Sequence, residues 1–146
     1  MISKEGAIRK FVRAYDIEVP RELVEEEYQL CLTDMRHKMV YGQMAGSHHM
    51  NLYEQAQAVR DAQEELMEVA YFTVKEELVM KALMTREEFS VTDQELQDYA
   101  EAMARRQNTT MDMVRRFFGD DLALLAGDVR RQKAEEWIYR QVNGEG

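Results

Sequence analysis

His48 and His49, in the stretch YGQMAGSHHMNLYEQ (residues 41–55), are the side chains of this 146-residue chain best suited to hold a metal ion. Two imidazoles make half of a tetrahedral zinc site, and the other half has to come from elsewhere. On an extended segment adjacent side chains point to opposite sides, so the pair does not converge on one ion. His37 is the only other histidine and Cys31 the only cysteine. Neither falls into an H-x-x-x-H or C-x-x-C spacing. The pair therefore reads as an exposed turn, and no metal is expected.

Other chemistries fare no better. The chain has no G-x-S-x-G elbow, no glycine-rich phosphate loop and no H-E-x-x-H signature. Cys31 lies on an apolar stripe, where a small buried hydrophobe is the natural reading. The acidic pairs Glu87–Glu88 and Asp120–Asp121 sit at expected helix ends and read as capping residues, the second pair at a helix start where carboxylates complement the dipole. No catalytic residue and no cofactor are implied, and the chain reads as a non-enzyme.

Methionine is what stands out instead, at eleven of 146 residues. Its flexible, polarizable side chain suits adaptable binding surfaces as well as irregular cores. Met67, Met80, Met84 and Met103 are expected mainly in the core. Met39, Met44 and Met50 gather around the quoted turn and are candidates for a binding surface.

The totals narrow the partners. A formal charge of −9 and a pI near 4.9 argue against a phosphate-binding face, so nucleic acid is not expected. The strongest cationic cluster, Arg130, Arg131 and Lys133, is followed by Glu135 and Glu136 and reads as a solvated helix face. A single cysteine excludes an internal disulfide and suits a reducing compartment. The first residues, MISKEGAIRKF, lack the apolar stretch of a leader. No run approaches the ~20 apolar residues that span a bilayer. A cytoplasmic protein without membrane partners is expected.

The elements that must position these residues are helices. One proline and seven glycines, among many Glu, Ala, Gln, Arg, Met and Leu, favour helix throughout. Ile8, Phe11, Val12 and Tyr15 give a short amphipathic helix after Ser3. Asp16 to Val19 should be an extended connector, with a second helix beginning at Pro20. That helix carries Leu23, Val24, Tyr28, Cys31, Leu32, Met35 and Met39 on its stripe and fades at Gly42. Asn51 with Glu54 offers a capping box, and nothing breaks the following helix until about Thr85. At ~34 residues it would be ~50 Å long, so part of it is expected to project as an arm. Residues 54–65 offer only a narrow strip of small apolar side chains, and 66–84 are apolar around most of the circumference, which roots the arm there. Thr92, Glu95, Val91 and Leu96 combine a capping box with a hydrophobic staple. A short helix capped at Thr109 or Thr110 should end at Gly119. Asp120 or Asp121 should open the last helix, which ends at Asn143–Gly144.

The order IEVPRELVEEEYQ, a glycine-bearing turn before NLYEQ, a long return helix, VTDQEL and a terminal KAEEWIYRQ resembles the C-terminal domain of trigger factor. That family is a bacterial chaperone whose helical arms cradle unfolded chains without ATP, and the fold also occurs in SurA-type periplasmic chaperones. The resemblance spans about residues 5 to 142. It implies an all-α fold of about six helices, with 1–146 as one domain: a long antiparallel hairpin arm (20–85) and a second helical hairpin (91–142) on a small helical core. The ribosome-docking and peptidyl-prolyl isomerase domains of the family have no counterpart in these residues, so neither activity is expected.

What the resemblance implies for function is ATP-independent binding of unfolded or nascent polypeptide through apolar, Met-rich surfaces. The positions that fit are Met39, Met44, Met50, Leu52 and Tyr53 on the first arm, and Met111, Phe117 and Phe118 on the second. Phe117 and Phe118 cannot both face one core, because adjacent helical residues diverge by about 100°. The alternative is a helical interaction module with one dedicated partner, a homodimer among the possibilities.

Overall fold

The computed structural model of the chain describes residues 1–44 and 51–144. Residues 45–50, which hold His48, His49 and Met50, lie outside the described residues, as does the side chain of Met44. Among the described residues the backbone is all-α. It has six α-helices, α1 (Lys4–Ala14), α2 (Arg21–Met44), α3 (Leu52–Glu87), α4 (Asp93–Arg106), α5 (Met111–Phe118) and α6 (Ala126–Val142), with a 3₁₀ turn at Ala123–Leu125.

Each start has a local cause. Ser3 Oγ accepts from Gly6 N at 3.1 Å and opens α1. Pro20, lacking an N–H, offers its carbonyl to Val24 N, so α2 follows it directly. Asn51 Oδ1 accepts from Glu54 N at 2.8 Å at the head of α3. The capping box of α4 is complete: Glu95 N donates to Thr92 Oγ1 and Thr92 N to Glu95 Oε1. Thr110 Oγ1 accepts from Met113 N and opens α5, and Gly119 at φ 91° closes it.

The last helix departs from the expected boundary. Asp121 Oδ1 accepts from Ala123 N, so Asp121 engages the first residue of the 3₁₀ turn and not α6. Leu122 takes a left-handed φ of 61°, which a continuous helix starting at Asp121 would not allow. Helix α6 therefore begins only at Ala126.

The chain divides into two compact units. One joins Met1–Tyr15 to Met80–Gly146 and the other is Asp16–Val79. In the first, α1 packs on α6 and α4 packs against α5, α6 and the 3₁₀ turn. Leu96, Ala100, Met103, Ala104, Val114, Leu122, Leu125 and Val129 form one apolar cluster there, with Tyr99, Met111 and Phe118 packed on it. The α1–α6 seam is aromatic: the Phe11 ring meets Trp137 edge-on at 5.8 Å, and the Arg86 guanidinium lies 5.6 Å over the same indole. Lys133 fixes the connector into α4, reaching both the Ser90 carbonyl and Glu95 Oε2, the latter at 2.6 Å. The amide of Ile2 donates to Asn143 Oδ1, so both ends of this unit are held together.

In the second unit Val24 and Leu32 of α2 and Ala70 and Val79 of α3 are buried. Leu66, Phe72, Val74 and Leu78 are only half-buried, and Met67, Val69 and Tyr71 are exposed. Met67 therefore does not take the core place expected of it, whereas Met80 and Met103 do. Half of a long helix can be apolar all round and still have neighbours on only part of its circumference.

Candidate interaction surface

Among the described residues the groups capable of chemistry do not assemble. Among the described residues no three His, Cys, Asp or Glu side chains converge on a common point that would suit a metal. Cys31 is half-buried on α2. Burial, with the nearby Glu27 and Asp34 carboxylates adding to it, pushes its thiol above the ordinary value, the wrong direction for a nucleophile. A groove of about 470 Å³ between α4 and α6 is lined by Tyr99, Ala102, Arg106, Asp128, Arg131, Gln132 and Glu135. Its charges balance one another, with Arg131 Nε 3.5 Å from Glu135 Oε1, and it carries no serine, cysteine or histidine.

What the described residues do present is apolar side chain in water. Helix α5 is only eight residues long and is divided cleanly by its register. Val114 is buried in the apolar cluster, with Met111 and Phe118 packed on it, all on one face. Met113 and Phe117, one turn apart, share the neighbouring flank, about 110° round from that face, and Phe117 is 72 % exposed. Arg115 Nη2 donates to Gln97 Oε1 at 3.1 Å and pins α5 to α4, so this orientation is held by a polar tie as well as by packing. Leu124, on the 3₁₀ turn that packs against α5, is exposed too.

In the other unit, Leu52 and Tyr53 occupy the first turn of α3, directly after the Asn51 cap, and are 83 % and 73 % exposed. Met39 is half-buried on α2. Of the eight residues singled out in the sequence, the structure thus places Leu52, Tyr53 and Phe117 at the surface and packs Met111 and Phe118 on the cluster. Met113 and Leu124 were not among them. Met113 was legible as the i−4 partner of Phe117, on the flank about 100° round the helix from Val114. Leu124 sits in the run LALLA, whose unbroken apolarity gives no face to read.

The model of the bacterial trigger factor C-terminus matches residues 2–140. The chain belongs to the trigger factor C-terminal family. Curated relatives agree at modest identity. The trigger factor of Carboxydothermus hydrogenoformans is 23% identical over 131 residues, covering 90% of this chain and 30% of that protein. The trigger factor of Streptococcus agalactiae serotype Ia is 27% identical over 130 residues, 84% of this chain and 28% of its own length. That of Caldicellulosiruptor saccharolyticus is 20% identical over 136 residues, 92% and 31% respectively. No solved structure gives a significant match. The chain spans about a third of the length of these relatives. The matched region is the chaperone-type module of trigger factor and not its isomerase domain. No helix among the described residues is long and apolar enough to cross a membrane.

Proposed function

We propose that this domain is an ATP-independent chaperone module that holds unfolded polypeptide against exposed apolar side chains. The observation that carries the reading is the outward face of α5, where Phe117 and Met113 remain in water although the same short helix buries its other face. A large ring left in solvent on a well-fixed helix supports a contact surface for another chain. Leu52 and Tyr53 at the head of α3 supply a second such point. Such contacts are non-directional, which suits clients that share no sequence.

The test is light scattering of two unrelated chemically unfolded proteins diluted into buffer, with and without the chain and without ATP. Suppression of aggregation for both, near equimolar ratio, is the expected result. Phe117→Ser should weaken suppression at least about threefold, because burying an aromatic ring contributes roughly 1.5–3 kcal/mol. Far-UV circular dichroism should stay unchanged, since the Phe117 side chain is mostly exposed. Absence of suppression for both clients sinks the reading.

A further inference from the structure

Helix α1 runs against the charge of the rest of the chain. It carries Lys4, Arg9, Lys10 and Arg13 against Glu5 alone, whereas the whole chain has a formal charge of −9. Lys4 belongs to the α6 side, where it pairs with Glu136 at 3.3 Å. The other three cations face away. At 100° per residue, Gly6 and Arg13 stand within about 20° of the line directly opposite Ala7, Ile8 and Val12, the buried residues of the helix. Arg9 and Lys10 lie on either side of that line, both exposed and neither in an ion pair among the described residues. Gly6 and Ala14 extend the stripe with almost no side chain, and these five residues line an open groove of about 480 Å³. Cations gathered along a concavity, in a chain otherwise rich in acid, point to an anionic occupant.

We propose that this groove docks an acidic peptide segment with two carboxylates about 6 Å apart, the spacing of glutamates four residues apart on a helix. Arg9 and Lys10 together take one carboxylate. Arg13 takes the other, and its five N–H donors leave room for this beside the interaction it already has within the chain. Length selects such a segment over a longer polyanion. The stripe is about 12 Å long from Gly6 to Ala14. In the sequence Glu5 precedes it, and Asp16 and Glu18 follow. Duplex nucleic acid carries a charge about every 1.7 Å and would run on against those acids, whereas an acid pair ends where the stripe ends. The charge pairs stay in contact with water, so the complex is weak, with a Kd on the order of 1 mM at low salt. The site uses neither Phe117 nor Met113, so it stands or falls separately from client binding.

Amide NMR spectra of the full chain, titrated at low salt with a blocked alanine-based helical peptide bearing two glutamates four residues apart, test it. Saturable shifts confined to α1 are expected, and the same peptide with glutamines in place of the glutamates should leave them unmoved. Arg9→Gln with Lys10→Gln should weaken binding at least about fivefold. Arg36→Gln with Arg130→Gln removes the same charge elsewhere and should change it by less than about twofold. Far-UV circular dichroism of both variants should match the wild type, since all four side chains are exposed. Absence of shifts at peptide concentrations well above the expected Kd overturns the proposal, as do shifts centred on α5, equal losses in the two variants, or equal binding of the glutamine peptide. A single-stranded oligonucleotide, or vesicles one-third phosphatidylserine, engaging the stripe at lower concentration than the peptide would overturn it in favour of a phosphate-bearing partner.

Discussion

Lys133 shows how one side chain can secure a whole connector. Its ammonium engages the Ser90 carbonyl and Glu95 Oε2 together, and Glu95 in turn holds the Thr92 amide. The hydrogen bond from Lys133, followed by that from the Thr92 backbone, holds the Glu95 carboxyl below its ordinary value of about 4.5. A carboxylate depressed by folding contributes stability that is complete above the ordinary value and is lost as pH falls through the folded one. Unfolding midpoints in denaturant should therefore drop more steeply below about pH 4.5 in the wild type than in Glu95→Gln, with the two curves parallel above it. Equal slopes in the acid range would show that Glu95 is not coupled to folding. The capping box was legible because Thr92 and Glu95 are three residues apart. The Lys133 tie was not, because no local pattern joins positions 38 residues apart. The same limit governs the candidate surface. Spacing separates Phe117 from Phe118, but only the position of α4 decides which of the two rings is covered.

At the scale of elements, most boundaries follow from end chemistry that sequence displays directly. Ser3, Pro20, Asn51, Thr92 and Thr110 each stand at a helix start and act there as hydrogen-bonding or φ-fixing residues. Gly119 is the sharpest stop. At φ 91° and ψ 154° it occupies a region that side-chain-bearing residues avoid, and a Cβ there would also meet Asp121 Oδ1 at 3.4 Å. Gly119→Ala should cost about 1–3 kcal/mol in equilibrium unfolding, and a loss under about 0.5 kcal/mol would mean that the loop relaxes without strain. The start of α6 was harder to read, because Asp121 is a good cap whichever element follows it. The turn at Leu122 decides the matter, and it buries that leucine in the cluster at the expense of a left-handed backbone. Helix α3 illustrates the complementary limit. Its residues 66–79 are apolar around most of the circumference, so the sequence locates a helix without saying which side has neighbours, and Met67, Val69 and Tyr71 end in water.

For the whole molecule the governing quantity is charge, with 28 acidic against 19 basic side chains. An excess of −9 repels copies of the chain from one another except where opposite charges are aligned. On the proposed chaperone reading it also sorts clients. An unfolded protein rich in lysine and arginine is drawn toward the surface before any apolar contact forms, whereas an acidic one must approach against the field. Added salt shortens the screening length from about 10 Å at 0.1 M to about 3 Å at 1 M and removes both effects, while apolar contacts persist. Suppression of aggregation, expressed relative to the client alone at each salt concentration, should therefore fall with salt for a basic client and hold or rise for an acidic one. The size of the divergence separates steering from adhesion. If both clients respond alike, Phe117, Met113, Leu52 and Tyr53 act through apolar contact alone, and the acidic surface serves solubility without selecting partners.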